Sequence, residues 1–216
     1  VSTLGPAGYV DGSWTTDSTP TLTFTTADGD GDTVRYNVQI DDSSDFASLV
    51  VDAYSSFAAA GSSQYTPSSL SDGSYYWRVR VSDGTATSSF STANSGSVAF
   101  RVDTAGPNIS SISAGTPGGT SATITWTTNE NSTSQVEYGL TASYGSITSL
   151  DSNAVTSHSV GLSGLTPATT YHYRVASVDA AGNSASSTDQ TFTTADTSEP
   201  SVSMTAPAAS AYLAGT

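Results

Sequence analysis

The chain has 216 residues with 19 Asp and Glu, five Arg and neither Lys nor Cys, and its formal net charge at neutral pH is −14. This charge excludes nucleic acid as a partner and disfavours anionic membrane surfaces, because both would repel the chain. Without Cys there is no disulfide, no thiolate nucleophile and no Cys-based metal site. No apolar stretch approaches the roughly 20 residues of a membrane span, so no membrane insertion is expected.

Short alternating segments begin near residue 20 and continue through the first half of the chain. Leu22 and Phe24 alternate with Thr, and apolar residues alternate with polar ones over residues 34–40 and again over 75–81. Successive side chains of a strand point to opposite faces, so a period of two predicts strands with one buried face. Gly, Asn, Asp and Pro separate the segments at intervals of about ten residues, which is typical of turns between antiparallel strands.

The second half of the chain repeats this organisation. Alternating segments cover residues 122–126, 136–138, 160–162 and 171–175. No segment keeps a helical period, and residues 45–54 have room for one helical turn at most. The sequence therefore predicts an all-β fold.

A repeated segment marks the domain boundaries. The segment from Asp103 to Pro107 (DTAGP) recurs 93 residues later from Asp196 to Pro200 (DTSEP). This spacing suits one seven-stranded sandwich of about 100 residues. It predicts three units: residues 1–103 and 104–195, each a seven-stranded Ig-like sandwich, and 196–216, a linker with an opening strand.

The last unit resembles the start of the chain. Residues 207–216 and 6–13 share the pattern of a first strand and turn, and residue 1 begins within that pattern, so we expect the chain to be a stretch of a longer protein. An unpaired strand exposes backbone donors and acceptors and favours association. The segment 196–216 is then either the opening strand of a third domain or a strand exchanged with a neighbouring copy in a fibre.

Three motifs carry a family resemblance. Residues 165–171 (LTPATTY) resemble the tyrosine corner of fibronectin type III domains, with Trp126 in the place of the family's core Trp. Residues 70–79 (LSDGSYYWRV) resemble a divergent bacterial form of this corner. Residues 136–139 (VEYG) are similar to the third strand of bacterial fibronectin-like modules, including those that precede purple acid phosphatase domains. The resemblance implies two fibronectin type III-like sandwiches, with Trp126 buried and Tyr171 hydrogen-bonded to the backbone near residue 165.

Carboxylates are expected to meet at one pole of the second sandwich. The entering linker, the loop between the second and third strands, and the loop before the last strand lie at this pole, and they carry Asp103, Glu130 and Asp179. Clustered carboxylates repel one another, and a hard divalent cation relieves that repulsion. The pattern predicts a calcium site at the domain junction, and solvated carboxylates screened by salt are the alternative.

The first domain offers a weaker set of calcium ligands, Asp28, Asp30, Asp32 and Asp83. Residues 28–32 (DGDGD) resemble the start of an EF-hand loop, but position six is Thr33 instead of Gly, so that loop is incomplete. Asp and Gly also form turns, which is the alternative interpretation of these residues.

Other residue types that carry chemistry are sparse. His158 and His172 lie on predicted strands without a neighbouring acid, which favours core or surface imidazoles over metal ligands or bases. Trp77 and Trp126 occupy inward positions, which leaves Trp14 as a candidate for stacking on a sugar. No nucleophile elbow and no phosphate-binding loop occurs, so we predict no enzyme active site.

Two further groups of residues lie on predicted surfaces. Asn108 and Asn131 each begin an acceptor sequon for N-glycosylation. Arg35, Arg78 and Arg80 should share the outer face of two paired strands, where we expect them to pair with Asp.

The sequence supports two hypotheses of function. The first is a non-catalytic structural spacer in an extracellular surface protein, stalk or fibre, of bacterial origin, with neighbouring domains or further copies as partners. The second is an accessory module of a secreted hydrolase with cell-surface glycans as ligands. A row of exposed aromatic residues would favour the second hypothesis, and the sequence pattern identifies none.

Overall fold

The computed structural model of the chain describes residues 4–6, by their backbone alone, and residues 12–203. Two features predicted from the sequence lie outside the described residues. One is most of the pattern shared by residues 6–13 and 207–216, and the other is residues 204–216 of the predicted opening strand. The described chain is all-β, as predicted, with one short 3₁₀ helix at Ala93–Gly96. Within these ranges no helix has the length and apolar character that a membrane crossing requires.

The strands fall into two groups that share no sheet. The first group consists of β1 (Leu4–Pro6), β2 (Ser13–Thr15), β3 (Leu22–Thr25), β4 (Thr33–Asp41), β5 (Val51–Tyr54), β6 (Ala58–Ala59), β7 (Ser62–Tyr65), β8 (Gly73–Ser82), β9 (Ser91–Thr92) and β10 (Phe100–Val102). The second group consists of β11 (Ile109–Ser113), β12 (Ser121–Gly139), β13 (Ser146–Ile147), β14 (Asp151–Ser163), β15 (Thr170–Val178), β16 (Ser184–Ser186) and β17 (Gln190–Thr193).

The first group forms a sandwich of two sheets. One sheet has the order β1-β3-β7, and the other has the order β2-β10-β8-β4-β5, with β6 paired to β4 and β9 paired to β8. The alternating residues predicted to face inward do so: Leu22 and Phe24 of β3 pack in one core with Val38 of β4 and Trp77 of β8. Trp77 is fully buried, as the sequence predicted.

The second group forms its own sandwich around Trp126. Strand β12 pairs with β11 and β14 between Ser121 and Ser134, and with β13 and β15 between Gln135 and Gly139. Trp126 is 1% exposed, so its predicted burial is confirmed, and Ile124 and Val136 pack in the same cluster.

Strand β12 corrects one prediction about this domain. We expected a loop near Glu130 between the second and third strands, but Ser121–Gly139 is one continuous strand of 19 residues that passes from one sheet to the other. In the pairing with β14, Thr127 lies opposite Ser157 and Ser132 lies opposite Val155, so residues 128–131 stand against one residue of the partner. Such an excess of residues bends a strand locally, and here the bend contains Glu130.

Both tyrosine corners are present. The Tyr171 hydroxyl accepts a hydrogen bond from the Thr166 backbone N–H at 3.0 Å, which confirms the prediction from the motif. In the first domain the Tyr75 hydroxyl donates to the carbonyl of Ser71 at 2.8 Å. Each bond ties the start of a long strand to the turn before it.

Candidate functional site at the domain junction

The first sandwich holds the linker at its start. Val102 ends β10 and Ile109 begins β11, so residues 103–108 join the domains. The Asp103 N–H donates to the Thr15 carbonyl at 3.0 Å. The backbone N–H and hydroxyl of Thr104 both donate to Oδ1 of Asp72, at 3.0 and 2.9 Å. Asp72 lies in the turn before β8, so a loop of the first domain fixes the linker backbone.

The second sandwich holds the linker through Asn183. Its Nδ2 donates to the Asp103 carbonyl and to Oδ2 of Asp179, both at 2.9 Å. Oδ1 of Asp179 accepts the N–H groups of Gly182 and Asn183 at 2.8 and 2.9 Å. These bonds shape the turn between β15 and β16, which presents Asn183 to the linker.

Gly106 makes a close approach between linker and domain. A Cβ at this position would lie 3.0 Å from the carbonyl oxygen of Ser184 in β16. A Cβ this close to a backbone oxygen would force the linker to shift. The absence of a side chain avoids that shift, which explains the Gly in the DTAGP segment.

The predicted junction carboxylates meet in the structure. One carboxylate oxygen from each of Asp103, Glu130 and Asp179 lies within 4.8 Å of the other two. The linker supplies Asp103, the bend of β12 supplies Glu130, and the turn after β15 supplies Asp179. Asp103 and Glu130 are half-buried and Asp179 is buried.

The cluster changes the acidity of Glu130. Its pKa lies above the usual value, first because burial disfavours the charged form and then because the carboxylates of Asp103, Asp179 and Asp72 repel it. The influence of Asp72, a residue of the first domain, shows that both sandwiches contribute charge to this site.

The arrangement can hold either a hard cation or a proton. Three carboxylate oxygens at this separation match the oxygen ligands that Ca²⁺ accepts. However, both oxygens of Asp179 already accept hydrogen bonds from its own turn, and Oδ1 of Asp103 accepts one from Ala105. Calcium binding at the junction therefore stays a prediction.

The weaker set of carboxylates is not brought together as a ligand group. Among the described residues, no three of Asp28, Asp30, Asp32 and Asp83 have ligand atoms within 4.8 Å of one another. Asp28 Oδ1 accepts the N–H groups of residues 30–32 in its own loop, and Asp83 Oδ1 accepts those of residues 85 and 86. Both carboxylates act as turn formers, and their pKa values are lowered chiefly by the hydrogen bonds they accept.

The two sequons flank the junction. The side chains of Asn108 and Asn131 are both exposed, and Asn131 follows Glu130 directly. The backbone N–H of Asn108 donates to Oδ1 of Asn129. Glycosylation at either Asn stays a prediction.

His158 is a core imidazole with two hydroxyl partners. It is 2% exposed, its Nε2 lies 2.9 Å from the Thr128 hydroxyl and its Nδ1 lies 2.8 Å from the Ser134 hydroxyl. The Thr128 hydroxyl donates its proton to the Glu130 carbonyl at 2.7 Å, so it accepts from the imidazole. We infer that Nε2 carries the proton and Nδ1 accepts from Ser134. The buried network thus also holds the backbone of the bend that bears Glu130.

Two expectations about charged side chains were wrong. His172 does have an acidic partner, since its Nδ1 lies 2.8 Å from Oδ2 of Asp189. Arg35, Arg78 and Arg80 share one face of β4 and β8 as predicted, but within the described residues none of them forms an ion pair. They contact aromatic rings and side-chain amides instead.

Trp14, the candidate for sugar stacking, lies at the edge of the first sandwich. It is 42% exposed and the guanidinium of Arg101 lies 5.5 Å from its ring centre. Arg101 also donates to the Gly12 carbonyl. One side of the indole is therefore covered by the protein's own cation.

Sequence reasoning missed the residues that hold the linker, Asp72 and Asn183. A local signal exists for Asn183, because Asp179-Ala-Ala-Gly-Asn183 (DAAGN) has the composition of a tight turn. Nothing in the sequence indicates that Asp72 would reach Thr104, since 32 residues separate the pair.

Solved structures similar to this chain extend over most of its length. Domains A168–A170 of titin cover 88% of this chain and 64% of their own, at 14% identity and a TM-score of 0.55. Domains FN1–FN3 of chicken CNTN1 cover 90% of this chain and 64% of their own, at 16% identity and a TM-score of 0.43. A fibronectin type III domain of human KIAA0970 covers 48% of this chain and 86% of its own, at 17% identity and a TM-score of 0.33. The chain thus spans 64% of the length of each of the two multidomain structures.

A family profile matches the second domain. Residues 107–194 match the family described as Purple acid Phosphatase, N-terminal domain. This match agrees with the resemblance of residues 136–139 to modules that precede such phosphatases. No curated protein sequence matches the chain significantly. The chain has the fold of a tandem pair of fibronectin type III-like and Ig-like sandwiches, as the motifs predicted.

Proposed function

We propose that the chain is a non-catalytic structural spacer of an extracellular surface protein, stalk or fibre. The observation that carries this proposal is the junction, where one linker is hydrogen-bonded from both sides, to Asp72 of the first domain and to Asn183 of the second. A spacer transmits orientation only if its junctions resist bending, and bonds from both sandwiches to consecutive residues Asp103 and Thr104 provide that resistance. The fibronectin type III and Ig-like fold is consistent with a structural module.

The surface chemistry also suits an extracellular spacer. A net charge of −14 favours solubility and opposes nonspecific association. The absence of Lys and Cys leaves no amine or thiol side chain for adventitious cross-linking outside the cell.

Distance measurement between two spin labels tests the proposal. Because the chain has no Cys, Ser44→Cys in the first domain and Ser149→Cys in the second would be the only labelling sites, and both positions are exposed. We expect one narrow distance distribution. It should broaden in the double variant Asp72→Ala, Asn183→Ala. It should stay narrow in Asn153→Ala, which removes an exposed amide that bonds to Asp151 and not to the linker. A broad distribution in the parent protein would show a flexible linker and contradict a spacer.

A second candidate is an accessory module of a secreted hydrolase. The match of residues 107–194 to the N-terminal domain of purple acid phosphatases favours this candidate. Mass spectrometry of the intact native polypeptide that contains these residues distinguishes the two functions. A catalytic domain beside the sandwiches would favour the accessory module, whereas further sandwiches would favour the spacer.

A further inference from the structure

The outer face of the first domain carries an ordered array of guanidinium groups and aromatic rings. We call it the Arg–aromatic face and define it by Arg35, Phe46, Tyr54, Arg78, Arg80 and Phe90. In the β4–β8 ladder, Arg80 lies opposite Asn37 and Arg78 lies opposite Gln39, so their side chains share one surface. Three of the five Arg of a chain with net charge −14 lie on this face.

Two aromatic rings contact the guanidinium group of Arg78. Its guanidinium carbon lies 4.1 Å from the ring centre of Phe46 and 4.1 Å from that of Phe90. Arg80 lies 4.5 Å from the same Phe90 ring. Because the rings pack against the planar guanidinium of Arg78, the edge of that group is the part that suits a hydrogen-bonded ligand.

Side-chain amides fix the inner edge of both groups. Nε of Arg78 donates to Oε1 of Gln39 at 2.8 Å, and Nε of Arg80 donates to Oδ1 of Asn37 at 3.2 Å. Asp52 accepts the amide nitrogens of Asn37 and Gln39 at 2.6 and 3.2 Å, so it turns their oxygens toward the two Arg. Within the described part of the chain, no residue accepts a hydrogen bond from their Nη atoms, and this outer pair of donors matches the two oxygens of a carboxylate.

The same face offers exposed ring surface and a small groove. Tyr54 is 54% exposed and Phe57 is 46% exposed, with Arg35 at 5.5 and 5.4 Å from their ring centres. Beside them Arg35, Asn37, Tyr54, Arg80 and Ser82 line a groove of about 180 Å³. This volume is smaller than the roughly 300–1,000 Å³ pockets that take drug-sized ligands, so the groove suits a single ring.

We propose that the Arg–aromatic face binds a uronate unit of a short acidic oligosaccharide. A uronic acid combines an apolar C–H surface, which packs on the exposed ring of Tyr54, with a carboxylate, which fits the outer nitrogens of Arg80 or Arg78. A second copy of the chain is a poorer occupant, because two chains that each carry a net charge of −14 repel one another. The few carboxylates of a short oligosaccharide avoid that repulsion, and the distant charges are screened beyond about 8 Å at physiological salt. This inference does not depend on the spacer function, because the residues bonded to the linker, Thr15, Asp72 and Asn183, are not part of the face.

Titration calorimetry with a short oligomer of galacturonic acid tests the proposal, in buffer containing a chelator so that calcium bridges do not form. The fully methyl-esterified oligomer is the matched ligand without carboxylates, and we expect it not to bind. Arg78→Lys and Arg80→Lys keep the charge but lose the planar pair of donors, and each should weaken binding by about tenfold or more. Arg174→Lys, at an Arg paired with Glu137 in the second domain, is the matched control and should bind as the parent does.

A second readout does not depend on any variant. The Arg Nε–H resonances of the parent protein should shift for Arg78 and Arg80 on addition of the oligomer, and the Arg101 resonance should not. Equal binding of the methyl ester, or no binding of the acid form, would overturn the proposal. Equally tight binding of poly-L-glutamate, unaffected by Tyr54→Ala, would show recognition of acidic peptides and would overturn the assignment to a sugar.

Discussion

The rings of Trp126 and His158 stack in the core of the second domain, with centres 4.8 Å apart and planes inclined by 6°. The indole N–H donates to the Ser177 hydroxyl at 3.1 Å, so the Trp side chain is satisfied as well as buried. The imidazole covers one face of the indole and bonds to Thr128 and Ser134 at its edges. One aromatic pair therefore joins the apolar core to the hydroxyl network beneath the junction.

Trp126→Ala should lower the free energy of unfolding by about 3–5 kcal/mol, because it removes buried ring surface and leaves a cavity. Trp14→Ala is the matched control and should cost far less, because Trp14 is 42% exposed. Urea denaturation of both variants measures the difference. Equal losses in the two variants would contradict the assignment of Trp126 to the core.

The stability of the second domain should depend on the protonation of His158. Burial lowers the pKa of His158 in the folded protein, whereas the unfolded chain titrates near 6.5. The unfolded state therefore binds more protons below pH 6.5, so stability is complete above that pH and falls as the pH decreases toward the folded pKa. For a single group this slope has an upper limit of about 1.4 kcal/mol per pH unit.

Urea denaturation between pH 5 and 7.5 measures this slope, and His158→Gln should flatten it. His172→Gln serves as the control, because His172 lies at the surface beside Asp189. The difference between each variant and the parent removes the contribution of carboxylates that titrate in all three proteins. A slope unchanged in His158→Gln would show that another group is responsible.

Tyr171→Phe should cost about 1 kcal/mol, because it removes the acceptor of the Thr166 N–H while keeping the ring stacked on Phe192. Tyr54→Phe, at an exposed Tyr whose hydroxyl forms no hydrogen bond with a described residue, should be nearly neutral. Thermal or urea unfolding measures both. If the Tyr171→Phe variant is as stable as the parent protein, the hydrogen bond between Tyr171 and Thr166 contributes nothing to the stability of the folded state.

Millimolar calcium should raise the melting temperature relative to chelator if the junction carboxylates bind it, by mass action on the folded state. Glu130→Gln should abolish that shift. In chelator the same variant should be more stable than the parent, because a neutral amide avoids both the burial of charge and the repulsion from neighbouring carboxylates, which together raise the pKa of Glu130. Identical melts of the parent in calcium and chelator would leave solvated carboxylates as the correct interpretation.

Much of the fold could be predicted from local pattern. Alternation over residues 122–126 and 171–175 placed Trp126 and Tyr171 on buried faces, because a period of two fixes which side of a strand each residue occupies. The corner motif also predicted a bond between groups only five residues apart, Tyr171 and Thr166. The topology of the sandwich also predicted that Asp103, Glu130 and Asp179 lie at one pole.

The sequence by itself determined the fold class, the buried aromatic residues and the meeting of three carboxylates at one end of a sandwich. Only the tertiary structure decided what each polar side chain contacts. The pairs Arg78–Gln39 and Asn183–Asp103 are separated by 39 and 80 residues, and alternation reports which face a residue occupies but not its neighbour across the sheet. The structure likewise decided that β12 runs on through Glu130, because a bend of four residues and a loop have the same polar sequence and differ only in whether flanking strands continue their pairing.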